Sequence, residues 1–269
     1  MKRRKKIAFC FIIRNNIFNQ NIWKDFFKSL DIDFEILCHF KNKPKLIFDV
    51  KFVERIPTLW GTKSLVDATN ILYRDAFYKY NCDVAYLLSG DSLPMYKNFK
   101  KYCEYNLRTT FKTLYNINDC ELSLMKSQYD KLPKYLKTTK SLSFNKWKKT
   151  HMFFCVSRDD YIKIDDSRLL DNYFGHIEIP DENYWCNAMT VLGLEYINDR
   201  NYIFSNNSYS SSQALVFNFE DDQTLYDRHT LKRSQIKTYS ENISKSKIIR
   251  KIPYELKYGL KLFKKLNDD

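Results

Sequence analysis

The chain has 269 residues, enough for one large or two small domains and for a sizeable buried core. Its 44% hydrophobic and 29% charged residues exclude a disordered chain, and its 5 Gly and 6 Pro exclude a collagenous or linker-rich one. A formal net charge of +13 calls for an anionic partner: nucleic acid, anionic lipid or a phosphorylated substrate. Zinc-finger spacing, RNA-binding strand motifs and a basic zipper are all missing, which turns the reading away from nucleic acid.

The first segment, MKRRKKIAFCFII, places basic residues before an apolar run. Ile7 to Ile13 is too short to cross a bilayer and is read as a buried strand. Asn21 to Leu30 spaces Ile22, Trp23, Phe26, Phe27 and Leu30 as a helix, and Phe34 to Phe40 is a second strand. Lys51 to Glu54 is a short third strand. This β-α-β order predicts an α/β fold with a mainly parallel central sheet flanked by helices.

Lys63 to Tyr80 carries the strongest helical pattern and leads into the strand Val84 to Leu88. That strand empties into a polar elbow, Ser89-Gly90-Asp91-Ser92, closed by Pro94. Ligands of open α/β sheets collect at such carboxyl ends, so the elbow is read as the floor of a site. Tyr96 to Leu107 is a helix. Residues 108–146 are polar and poorly periodic, and are read as an insertion on the acceptor side of a single domain spanning 1–252. Met152 to Val156 is a strand and Arg158 to Leu170 a helix. Pro180 opens another helix with Asp181 and Glu182 in its first turn and Gly193 as its cap. Tyr202 to Phe204 and Ala214 to Phe219 are short strands. Residues 253–269 form a basic amphipathic helix, which either docks on the domain or attaches to an anionic membrane surface.

Seven Cys, an odd number with no CxxC pair, read as buried free thiols in a reducing compartment. The four His are scattered, so a transition-metal site is not expected. Asp91 follows a strand as a metal-binding carboxylate would, but its neighbours offer no second acid, and one carboxylate binds a hard cation poorly. Asp31-Ile32-Asp33 precedes a strand and is read as a turn. Glu182, beside Asp181 and near Tyr184 and Trp185, has the character of a general base. The helix dipole accounts for both acids as well, and the residues alone favour that simpler account. Arg250 and Lys251 follow two isoleucines, as a diphosphate grip would, or as a solvated basic face.

Several segments in order resemble the Core-2/I-branching glycosyltransferases, glycosyltransferase family 14, in a compact bacterial or viral form. They are KIAFCFIIRNNIFNQNIWKDFF, FEILCHFK, WGTKSLVDA, YLLSGDSLPM, HMFFCVSRDDY, PDENYW and SKIIRK, which together span residues 6 to 251. The resemblance implies a GT-A-like fold and inverting transfer from a UDP-sugar, with UDP-GlcNAc as the candidate, to a hydroxyl of a glycan or lipid-linked glycan. It implies no metal and no other cofactor. Glu182 would be the base, and Lys251 with Arg250 would hold the donor diphosphate. Trp60, Gly61, Ser89, Gly90, Asp91, Ser92 and Pro94 would form the donor sugar and nucleotide pocket, and Asp181, Tyr184 and Trp185 the acceptor side. The resemblance also implies a second phosphate-binding Arg that no motif aligns here, with Arg200, Arg228 and Arg233 as candidates. The family's SGxDxP reads SGDSLP here, which leaves Asp91 and Ser92 both open as the sugar contact.

The expected setting is surface polysaccharide or glycoconjugate synthesis on the cytoplasmic side, soluble or peripheral on the inner face of a membrane. Animal members carry a membrane anchor and disulfides, and neither pattern is read in this chain. The rival readings are a metal-dependent GT-A transferase with another nucleotide-sugar donor, and a non-catalytic carbohydrate- or lipid-binding protein on the same fold.

Overall fold

The computed structural model describes residues 4–114, 119–138, 142–200, 202–204 and 245–250. β1 (Lys6–Ile13) is buried along nearly its whole length, as a central strand covered on both faces must be. α1 (Gln20–Ser29) turns Trp23, Phe26 and Phe27 into the core at helical spacing. β2 (Asp33–Phe40) and β3 (Lys51–Phe52) follow. α2 (Lys63–Arg74) buries Val66, Ala68, Leu72 and Tyr73, then widens into a single π turn at Asp75–Lys79. The sequence pattern, read as one helix to Tyr80, does not register that change of pitch. β4 (Val84–Ser89) is wholly buried, and β5 (Ser92–Pro94) leaves the elbow.

α3 (Tyr96–Tyr105), β6 (Thr110–Phe111), α4 (Asp119–Asp130) and α5 (Lys134–Thr138) come next. β7 (Cys155–Ser157) begins three residues later than the apolar run predicts. Phe153 and Phe154 are still buried, and the Phe154 carbonyl accepts from Leu87 N at 2.9 Å. α6 (Arg158–Asp166) is capped by Ser157, whose Oγ accepts from Asp160 N. A 3-10 turn at Pro180–Glu182 precedes α7 (Tyr184–Leu192). The helix expected from Pro180 onward is thus broken at Asn183, whose amide donates back to Ile179 O at 2.9 Å. Gly193 ends α7 at φ 67, a left-handed turn that suits Gly. β8 (Ile197–Asn198), β9 (Ile203–Phe204) and β10 (Ile248–Arg250) complete the described elements.

Seven strands form the central sheet in the order β3-β2-β1-β4-β7-β6-β8. The β3-β2-β1-β4 half is parallel, β7 is antiparallel to both β4 and β6, and β6 is parallel to β8. The protein is therefore α/β, with a mixed and mostly parallel sheet flanked by helices. Residues 108–146 are not merely an insertion: they supply β6 to the sheet as well as α4 and α5. A second, three-stranded sheet has the order β5-β10-β9. Residues 253–269 and 214–219, with their expected helix and strand, lie outside the described residues.

An aromatic block under the parallel half fixes α1 and α3 to the sheet. Phe26 stacks on Phe99 at 5.3 Å and meets Phe9 edge-on at 6.0 Å, while Phe9 stacks on Tyr86 at 5.8 Å. Trp23 joins this block and donates its Nε1 proton to Ser92 O at 2.9 Å, so the core reaches directly to the elbow. Six of the seven cysteines are buried free thiols, and Cys120 is exposed on α4. Among the described residues, no helix is long and apolar enough to cross a membrane.

The elbow is packed so closely that Gly90 has no room for a side chain. A Cβ there would lie 2.2 Å from the carbonyl oxygen of Asn16, in the loop that leaves β1, and Phe18 N donates to Gly90 O at 2.7 Å. Backbone cannot yield as a flexible side chain can. Gly90→Ala is therefore expected to cost about 1–3 kcal/mol or more, as overpacking of a core does. Urea denaturation followed by circular dichroism measures it, and an unchanged midpoint would contradict the packing described.

Candidate active site

The carboxyl end of β4 lies beside β1, where the strand order reverses from β3-β2-β1 to β4. A crevice opens at such a reversal because the flanking connections run to opposite sides. Ser89, Gly90, Ser92 and Pro94 are all buried there, and Asp91 is half-buried. Ser89 Oγ bonds to Asp91 Oδ1 and, at 2.7 Å, to Ser92 Oγ. Ser89 N donates to Ser92 Oγ at 3.2 Å. The two serines therefore shape the turn, and Asp91 is the elbow side chain that reaches outward.

β10 pairs antiparallel with β5, setting Arg250 opposite Ser92. Arg250 Nε then lies 3.4 Å from Asp91 Oδ1. The guanidinium also lies over the Phe153 ring, 4.5 Å from its centroid. Lys251, the other half of the expected cation pair, lies outside the described residues, as do Arg228 and Arg233. Arg200 is described and exposed in the turn after β8.

The Pro180–Glu182 turn supplies the acids. Ile179, just before it, has φ 49 and ψ 54, a left-handed conformation that a β-branched residue adopts only under constraint. The constraint is visible. Ile179 N donates to Gly61 O at 3.0 Å, and Ile179 O accepts from Asn183 Nδ2. On the other flank Thr150 N donates to Glu182 O at 2.8 Å. Gly61, itself at φ 74, is thus tied to the Pro180–Glu182 turn and not to the elbow. Trp60 beside it is 69% exposed.

Asp181 and Glu182 differ in environment. Asp181 is 7% exposed, and its Oδ1 has no hydrogen-bond partner among the described residues. Burial, and then the neighbouring Glu182 charge, push its carboxyl up to about 7, with Arg250 and Lys149 pulling the other way. Glu182 is more open and pairs with Lys149, Oε2 to Nζ 3.3 Å. Lys149 also holds Glu121 of α4 at 3.1 Å. Burial opposes charge on Lys149, but Glu182 and Glu121 outweigh it and its pKa is raised. Charges of alternating sign thus run from Asp91 through Arg250 to the acids and on to Lys149 and Glu121.

Tyr184 and Trp185, expected on the acceptor side, are core residues at 2% exposure each. Tyr184 packs on Phe174, and Trp185 lies against Tyr73, Phe154 and Tyr161. They support the Pro180–Glu182 turn from beneath. Asp31 and Asp33 pair with Arg4 at the surface, and Asp33, read as part of a turn, is already the first residue of β2. Sequence reasoning missed Lys149, Phe153 and Glu121. No local pattern marks them, since each reaches the site only by packing against a remote segment. A cleft of about 380 Å³ lined by Asn98, Lys101, Tyr102, Tyr105, Lys245 and Lys247 shares no residue with this site.

Asp181 makes stability depend on pH in a defined sense. Its folded carboxyl sits at about 7 against the usual 3.8, so the folded state keeps a proton that the unfolded chain releases between those values. Its contribution to stability falls as pH rises through that window and is lost above about 7. Asp181→Asn, a neutral mimic of the protonated acid, is expected to flatten the fall. The variant should exceed the parent by a few kcal/mol near pH ~8 and match it near pH ~4, at roughly 1.4 kcal/mol per unit. Urea titrations across that range measure it, and parallel curves for the two proteins would refute the assignment.

No family model matches the chain, and no curated protein matches it.

Proposed function

We propose that this protein is an inverting glycosyltransferase that moves a sugar from a UDP-sugar to a hydroxyl of a glycan or lipid-linked glycan. The observation that carries the reading is the β5–β10 pairing. It sets a guanidinium at the mouth of the elbow, within electrostatic reach of a pair of acids on a strained turn. The resemblance of the sequence segments to the Core-2/I-branching family supports the same assignment, and a parallel β3-β2-β1-β4 half supports a GT-A-like fold.

In the proposed reaction the acceptor oxygen attacks the sugar C1 from the face opposite the diphosphate. The bond from C1 to the β-phosphate oxygen breaks as the new C1–O bond forms. The acceptor proton passes to Glu182, which is open enough to meet an incoming hydroxyl, whereas Asp181 is not. Arg250, joined by Lys251, balances the charge growing on the departing UDP. Arg250 beside Asp91 supplies positive charge where a metal-dependent relative would place a cation, which favours a metal-independent mechanism. Asp91 rather than the fully buried Ser92 is the donor-facing side chain of the elbow. The net charge of +13 suits a phosphorylated donor and an anionic membrane surface, and the proposed setting is synthesis of a surface polymer.

A panel of nucleotide sugars tested by thermal shift identifies the donor, since a ligand that binds only the folded state raises its melting temperature. A UDP-sugar is expected to give the largest shift. With that donor, Glu182→Gln should lower kcat by about 10²–10⁴-fold and leave the affinity for UDP within about twofold. Arg250→Gln should instead weaken UDP binding. Near-normal turnover by a folded Glu182→Gln protein would remove Glu182 from the mechanism. Activity lost in EDTA and restored by Mn²⁺ would transfer the charge-balancing role from Arg250 to a cation held by Asp91.

A further inference from the structure

Lys149 stands at the junction of three segments. Its backbone is fixed on both sides: Leu114 N donates to Lys149 O at 2.9 Å, and the next residue, Thr150, donates to Glu182 O. Lys148 N and O are both held by the Asn187 side chain, at 2.9 and 2.8 Å. The Lys149 side chain is only 12% exposed and ends between Glu182 Oε2 at 3.3 Å and Glu121 Oε1 at 3.1 Å. Two carboxylates on one ammonium leave no net positive charge to attract a phosphate, so Lys149 is poorly suited to the donor side. Its contact with Glu182 runs through Oε2.

α4 and Lys131 just after it are tied to Glu178, at the approach to the same turn. Gln128 Nε2 donates to Glu178 O at 2.6 Å, and Lys131 pairs with Glu178 at 3.1 Å. The helix that holds Glu121 is therefore fastened to the loop that carries the acids, and Lys149 closes the arrangement at its inner end.

We infer that Lys149 is the positioning residue of Glu182: it holds Oε2 so that Oε1 faces the acceptor hydroxyl, and it links that orientation to α4. This role rests on the reading of Glu182 as the base. A carboxylate free to rotate would spend much of its time away from the attacking oxygen, and small misplacements of a catalytic group cost rate steeply.

The test compares the parent protein with Lys149→Met, which keeps the length and loses the charge, and with Lys149→Arg, each made with and without Glu182→Gln. UDP affinity is read by calorimetry, and kcat and KM by transfer from the UDP-sugar that the thermal-shift panel selects. Lys149→Met is expected to lower kcat by about 10–100-fold, with UDP affinity within about twofold. Lys149→Arg should recover most of the loss. In the Glu182→Gln background Lys149→Met should change kcat little, because its effect passes through Glu182. An equal further loss in that background, or weaker UDP binding with kcat unchanged, would overturn the inference. Should Lys149→Met fail to fold, the arginine variant decides: if it folds yet is as impaired as Glu182→Gln, the inference fails. A parent protein that binds UDP and transfers sugar normally after Glu182→Gln removes the base, and this role with it. A parent protein that binds no nucleotide sugar refutes the transferase reading itself, which the calorimetry registers separately.

Discussion

The contact between Arg250 and Asp91 joins parts of the chain 159 residues apart. Each side chain is about one-fifth exposed, and the guanidinium lies over the Phe153 ring. A cation in that position needs a carboxylate beside it, and a carboxylate at the closed end of β4 needs a cation. Each group is tolerable because the other is present. The pair requires β10 to lie against β5, and β5 to turn sharply out of β4. That turn in turn requires the bare backbone of Gly90 and the serine hydroxyls that close the elbow. The geometry of the candidate site is thus a consequence of one strand pairing.

The other side of the site is built for rigidity. The acids stand on a short turn whose entry residue, Ile179, is held in an unfavourable conformation by bonds to Gly61 and Asn183. Such backbone costs of order 1–3 kcal/mol and persists only where its surroundings over-determine it. Here they do, with Tyr184 and Trp185 packed beneath and Thr150 bonded at the side. Groups fixed before a substrate arrives need no reorganisation when charge moves, which is the condition for electrostatic catalysis.

Much of the fold is legible in the sequence because its signals are local. β1 and β4 are unbroken apolar runs, and α1 carries Trp23, Phe26 and Phe27 at helical intervals, so both element types declare themselves. The π turn after α2 and the break at Asn183 are not legible, since each depends on which hydrogen bonds tertiary packing makes available. At the site the division is similar. Glu182 and Arg250 stand in recognisable settings, an acid after Pro at a helix start and a cation after two isoleucines. Asp91 reads from the sequence as a lone carboxylate because its partner lies far downstream. Lys149 is one basic residue among 45, distinguished only by the two carboxylates that the fold brings to it. Tyr184 and Trp185 misled because an aromatic beside an acid has the same composition whether it lines a site or floors it.

The β5–β10 pairing also has a consequence for how the protein comes into being. Its partners, Ser92–Pro94 and Ile248–Arg250, are separated by most of the chain, whereas β1, β2 and β4 pair within the first ninety residues. Distant contacts must offset a larger loop-closure entropy and form late. During synthesis the parallel half can assemble while the rest is still being made, and the elbow waits without its guanidinium. The nascent chain therefore carries a nearly complete scaffold with an unfinished site. The arrival of Arg250 completes the charge pattern at one stroke, 159 residues after Asp91.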